Sequence, residues 1–133
     1  MEVKGLEALD PDELKAQHRL ADALWSMLVE QGVRDRSRGR IEGFLFAPEE
    51  GAAASLTASF VKHGWLGEVE QLDDGSSRFR IKLVSNLVYL TRQGLLDLVD
   101  VMMVSAHHHG CAFDGFQVDV SAVQPPRPWW RFW

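Results

Sequence analysis

The sequence predicts an α+β fold in which a four-stranded antiparallel sheet is preceded by an extra N-terminal helix. Helical and strand-like patterns follow that first helix in the order strand, helix, strand, strand, helix, strand. The first strand-like run is apolar on both faces, which indicates a central strand covered on each side. This element order is the split βαβ arrangement of ferredoxin-like βαββαβ plaits, in which the first and third strands are central.

The first helix, predicted at residues 10–32, has signals at both ends. Asp10 suits the N-cap position, and Pro11 suits the first helical position, where its missing N–H would have no helical partner. Gly32 is predicted to end the helix in the left-handed conformation that glycine adopts most readily. The arginine-rich residues 34–40 have no hydrophobic period, and we predict a loop there.

Six further elements follow, each with a hydrophobic period or an end signal of its own. They are predicted as a strand at 40–47, a helix at 48–64, strands at 65–72 and 78–84, a helix at 91–110 and a strand at 112–120. Right-handed connections would place the two later helices on one face of the sheet. The first helix, a second subunit or a partner would then cover the other face.

A β-bulge is predicted at the start of the last strand, in Phe113-Asp114-Gly115-Phe116. Residues three apart on a regular strand point to opposite faces. One extra residue at Asp114-Gly115 would bring Phe113 and Phe116 to the same face. The bulge then either serves the core by seating both phenylalanines or presents Asp114 on a protein-binding surface.

Residues 109–116, with the sequence HGCAFDGF, resemble the closing motif of the regulator of ribonuclease activity B family, bacterial protein inhibitors of ribonuclease E. In that family a helix ends in His-Gly-Gly, and an aromatic-Asp-Gly-Trp begins the last strand. Weaker similarities at residues 40–46 and 60–65 extend the resemblance over about residues 34–120. The chain departs from the family pattern at Cys111, Phe113 and Phe116, and its tail is aromatic and basic rather than acidic.

The resemblance implies a non-catalytic ferredoxin-like protein that binds ribonuclease E, inhibits its cleavage of RNA and needs no cofactor. An acidic surface would steer association with an arginine-rich region of the nuclease. The residues expected to form the partner-binding surface are Glu42, Glu68, Glu70, Asp73, Asp74, Asp114, Gly115 and Phe116.

An RNA-binding module is the main alternative, because RNA-recognition motifs share this element order and stack bases on aromatic residues of the central strands. Phe44 and Phe46 alternate on the first strand, and Arg80 and Lys82 would flank them if all four emerge on one face. Against this, the third strand lacks the basic-glycine-aromatic signature, and the net charge of −5 disfavours direct binding to nucleic acid. An immunity or scaffold protein with another protein partner is a further possibility.

Composition and motifs predict a cytoplasmic protein that is not an enzyme. The single cysteine, Cys111, excludes an intrachain disulfide, and no apolar run reaches the length of a membrane span. The N-terminus lacks the basic and apolar regions of a signal peptide. Consecutive histidines at 107–109 point about 100° apart on a helix, so they do not converge on one metal ion. No phosphate loop or nucleophile motif is present, and we expect neither a metal nor a cofactor.

The chain is predicted to divide into an N-terminal segment at 1–9, a single domain at 10–122 and a tail rich in proline and tryptophan at 123–133. The tail contains Trp129 and Trp130 within a strongly apolar end. So much apolar surface favours docking, either onto the chain's own domain, onto a partner or onto a second copy in a homo-oligomer.

Overall fold

The computed structural model describes residues 4–125, which form a mixed α+β fold with two antiparallel sheets. Its helices are α1 (Pro11–Glu30), α2 (Glu50–Val61) and α3 (Arg92–His108), with short 3-10 helices at Leu6–Ala8 and Val120–Ala122. Its strands are β1 (Ser37–Gly39), β2 (Ile41–Ala47), β3 (Leu66–Gln71), β4 (Phe79–Val84), β5 (Val88–Leu90) and β6 (Ala112–Val118). Every helix in the described part of the chain is too short or too polar to cross a bilayer.

Local signals define both ends of α1 as predicted. The Asp10 carboxylate accepts a hydrogen bond of 2.9 Å from the Asp12 amide, which satisfies one of the free N–H groups of the first turn. Gly32 has φ +95°, and the Val33 amide donates back to the Leu28 carbonyl over 2.9 Å. This is a Schellman closure, which a glycine in the left-handed region permits.

The larger sheet has the strand order β3-β4-β2-β6, with each neighbouring pair antiparallel. β2 is a central strand, as its doubly apolar sequence predicts. One side of this sheet, the helical face, buries Leu45, Ile81 and Leu83 completely beneath Leu56 of α2 and Met102 of α3. Burial of these aliphatic side chains is the main force that holds the two helices on the sheet.

The N-terminal helix α1 packs on α3 and therefore lies on the helical side of the sheet. Ala21 is buried against Val99 and Met103 of α3, where its small side chain allows the helices to approach closely. His18 and Asp100 add a side-chain contact of 2.6 Å between the two helices. The helix α1 therefore does not cover the opposite side of the sheet. A second subunit and a partner are the other two covers predicted from the sequence.

A second, two-stranded sheet corrects the prediction of a loop at residues 34–40. β1 lies within that segment and pairs antiparallel with β5, and Arg38 also forms a bridge with Gln124. The Ser37 hydroxyl accepts a hydrogen bond of 3.0 Å from the Arg34 amide. The prediction is wrong because a three-residue strand without apolar side chains has no hydrophobic alternation to recognise, and backbone pairing alone defines it.

Candidate functional site

The side of the larger sheet opposite the helices carries no helix within residues 4–125. Directly opposed residues of antiparallel neighbours point to the same face, so the strand register identifies its members. Phe44 lies opposite Lys82, and Phe46 lies opposite Arg80. This surface, which we call the open face, includes Glu42, Phe44, Phe46, Glu68, Glu70, Arg80 and Lys82, together with Leu66 and Val84.

Acidic and basic side chains alternate across the open face. Glu70 is 3.6 Å from Arg80, and Glu42 is 4.0 Å from Lys82. Glu42 also accepts a hydrogen bond of 2.9 Å from the Gln117 side chain. Because the Glu70–Arg80 pair is exposed, it contributes little to the free energy of unfolding. Its charges can therefore exchange partners with an incoming protein at small cost.

The aromatic part of the open face already holds a guanidinium group. The guanidinium carbon of Arg78 lies 5.0 Å from the centroid of the Phe46 ring, which is within the range of a cation–π contact. Phe44 and Phe46 are both half-buried between the side chains of neighbouring strands. The four residues proposed for RNA contact, Phe44, Phe46, Arg80 and Lys82, thus do share one face.

Asp73 and Asp74 lie beyond the open face, in the turn that joins β3 and β4. The Asp74 carboxylate accepts hydrogen bonds from the Ser76 hydroxyl and from the Ser76 amide. These bonds, with a smaller contribution from the Arg78 guanidinium 3.7 Å away, lower the pKa of Asp74. The carboxylate is therefore ionised at neutral pH, and its contacts stabilise the turn.

The predicted bulge is present in β6. Phe44 pairs with Gly115 and Leu45 pairs with Phe113, which leaves Asp114 as the extra residue. Gly115 has φ +139°, a conformation that side chains other than glycine rarely adopt. The rings of Phe113 and Phe116 stack with centroids 6.4 Å apart on the helical side. The bulge thus places both phenylalanines against the core, which is the first of the two roles predicted for it from the sequence.

The strand order separates Asp114 on β6 from Glu68 and Glu70 on β3. β6 and β3 are the two opposite edges of the sheet, about 14 Å apart at the usual strand spacing. Asp114 is exposed beside α1, where it lines a cavity of about 250 Å³ with Gln17 and Leu20. Of the expected partner-binding residues, Gly115 lies next to Phe44 on the open face, whereas the Phe116 side chain points to the helices.

Deletion of Asp114 is expected to leave the fold intact, because Phe113 and Phe116 would then be two residues apart and share a face on a regular strand. We expect the free energy of unfolding to change by no more than about 1 kcal/mol, as no buried apolar surface is lost. The matched control deletes Gln117, which would turn the buried Val118 out of the core. Urea unfolding that finds both deletions equally damaging would show that the fold needs the bulge.

The consecutive histidines 107–109 and Cys111 lie at and just after the C-terminal end of α3. Among residues 4–125, no cluster of three or more histidine, cysteine, aspartate or glutamate side chains could hold a metal ion. Burial raises the pKa of the Cys111 thiol, whereas a nucleophilic cysteine needs the thiolate. Burial also lowers the pKa of His109, with a smaller contribution from the nearby His108. Both directions favour the neutral forms of these two side chains.

Sequence reasoning predicted a strand at residues 65–72 and named Glu68 and Glu70, but it missed that the whole of β3 is exposed. Every residue of β3 is exposed, including Leu66 at 71% and Val69 at 42% of their full areas. Leu66 shares the open face with Glu68 and Glu70, whereas Val69 lies on the other side of the strand. Charged residues on an exposed strand are a signal of an edge strand. Trp129 and Trp130, also named as candidate contacts, lie outside the described residues.

The chain matches no protein-family model and no curated protein. The support for a function therefore consists of the geometry of the open face and the resemblance carried by residues 109–116.

Proposed function

We propose that this protein is a non-catalytic cytoplasmic regulator that binds ribonuclease E, or another arginine-rich protein, through its open face and limits RNA cleavage. One observation carries the proposal: Glu42, Glu68 and Glu70 converge with Phe44 and Phe46 on a single face that no described helix covers. Binding surfaces typically combine aromatic anchors with charged groups in this way.

The chemistry of this face suits arginine in particular. A guanidinium group pairs with carboxylates and also stacks on aromatic rings. Arg80 beside Glu70, and Arg78 over Phe46, are intramolecular examples of both contacts. We infer that arginines of a partner replace these exposed contacts and extend them to Glu68.

The fold and the closing motif support the choice of partner. The strand order β3-β4-β2-β6, with α2 and α3 on one face, supports a ferredoxin-like plait to which α1 and the β1–β5 sheet are additions. The bulged Asp114-Gly115 step supports the resemblance to the ribonuclease E inhibitors.

Affinity capture on immobilised ribonuclease E at moderate salt tests the proposal. We expect the full chain to be retained, and RNA cleavage to fall when the chain is present in several-fold molar excess. The protein would act by occupying the nuclease, so inhibition should saturate at a stoichiometric ratio. No retention together with unchanged cleavage would refute the proposal.

Direct RNA binding is the second candidate, favoured by the placement of Phe44 opposite Lys82 and Phe46 opposite Arg80. Bases would stack on the two rings while the cations contact phosphates. A gel shift with a pool of single-stranded RNA separates the two functions. A strong shift that weakens steeply with salt would favour RNA, because phosphate contacts release counterions.

A further inference from the structure

The outer edge of β3 is unpaired within residues 4–125, where β4 is its sole neighbour in the sheet. An exposed edge strand presents unsatisfied backbone N–H and C=O groups, which an extended chain can pair with. The direction of these groups follows from the Leu72 amide, which donates to the Arg78 carbonyl over 2.9 Å and so points toward β4. Backbone groups alternate in direction along an antiparallel strand. Gly67, Val69 and Gln71 therefore direct their N–H and C=O groups outward.

Side chains on β3 discriminate between possible occupants of this edge. A second copy could pair its β3 antiparallel with this β3, with the two open faces on the same side of the joined sheet. In the symmetric registers of this kind that use most of the strand, Glu68 lies opposite its own copy or opposite Glu70. Directly opposed like charges destabilise a strand pair. The edge thus disfavours a second copy of this chain and favours a strand whose side chains on the open face are basic.

We infer that β3 binds an extended basic segment of a partner as an added strand, with arginine or lysine at alternate positions opposite Glu68 and Glu70. This inference rests on the proposed function, because it assigns the partner segment that meets the same acidic residues. The added strand would bond to the outward backbone groups of Gly67, Val69 and Gln71. Glu68 and Glu70 would then occupy non-hydrogen-bonded pairs, in which facing side chains approach most closely.

The opposite side of the added strand would carry small or apolar residues. Val69 is 42% exposed on the helical side and would lie beside a residue of the incoming strand. Gly67 lies so close to Thr57 that a Cβ atom added there would clash with the Thr57 methyl group. The partner sequence expected at this edge therefore alternates basic with apolar residues, as in strand addition to other open sheets.

Val69→Pro is the decisive variant, because proline removes an outward N–H while the bonds from β3 to β4 do not use it. The matched control is Val69→Ala, which removes the side chain and keeps the N–H group. A synthetic hexapeptide of alternating arginine and valine serves as the probe, and a hexapeptide with three arginines followed by three valines controls for charge. Calorimetric titration of the full chain should give affinity for the alternating peptide about tenfold weaker in Val69→Pro than in Val69→Ala.

Gln71→Pro, compared with Gln71→Ala, provides a second test should Val69→Pro fail to fold. Protection of the Val69 and Gln71 amides from hydrogen exchange on peptide binding is also expected. Equal affinities of each proline variant and its alanine control would overturn the inference. Ribonuclease E captured equally well by Val69→Pro would overturn strand addition and leave the proposed function standing. Binding of the alternating peptide without capture of ribonuclease E would refute the proposed function and leave strand addition standing.

Discussion

Reversing two charges, Glu68→Lys together with Glu70→Lys, is expected to weaken binding of ribonuclease E by at least about a hundredfold. Both carboxylates are exposed on the open face, and both would become cations that meet an arginine-rich partner. Each tenfold loss corresponds to about 1.4 kcal/mol, and placing like charges together across an interface costs several kcal/mol. Surface plasmon resonance at two salt concentrations would measure the loss.

The fold itself should tolerate this double reversal. The contact of Glu70 with Arg80 spans 3.6 Å between exposed groups, and such pairs contribute about 0–1 kcal/mol. Glu7→Lys with Glu30→Lys is the matched control, because it changes the net charge equally at exposed positions of the 3-10 helix Leu6–Ala8 and α1. Equal loss of binding in both double variants would indicate that total charge, rather than the open face, governs association.

Local signals explain why much of the fold was predictable. The caps of α1 depend on Asp10 and Gly32 alone, so they can be recognised without knowledge of the rest of the chain. The doubly apolar sequence of β2 likewise indicates its central place. By contrast, β1 pairs with β5 about fifty residues away, and its three residues offer no hydrophobic alternation. Pairings of this kind depend on the whole fold and cannot be found from a local pattern.

The sequence predicted most residues of the candidate site, but it did not fix how they are arranged in space. Alternation on β2 places Phe44 and Phe46 on one face, but whether Lys82 joins them depends on the register between β2 and β4. A shift of one residue would send Lys82 to the opposite face. The bulge was predicted from its sequence, yet the position of Asp114 beside α1 depends on how that helix packs.

Substitutions at two neighbouring residues of β2 test the two faces of the sheet separately. The one on the helical face is expected to have a large effect on stability. Leu45→Ala is expected to lower the free energy of unfolding by about 3–5 kcal/mol, because Leu45 is fully buried on the helical face and its removal leaves a cavity. This is a large share of the 5–15 kcal/mol or so that a domain of this kind has in total. Denaturation by urea, followed by circular dichroism, would measure it.

The control is the adjacent Phe44→Ala, which truncates a larger side chain on the open face. Phe44 is half-buried, so its truncation is expected to lower stability less than Leu45→Ala does, although more atoms are removed. Partner binding should respond in the reverse order, because Phe44 belongs to the open face and Leu45 does not. If Phe44→Ala were the more destabilising variant and left capture of ribonuclease E unchanged, its ring would serve the core, and the open face would lose its role as the docking surface.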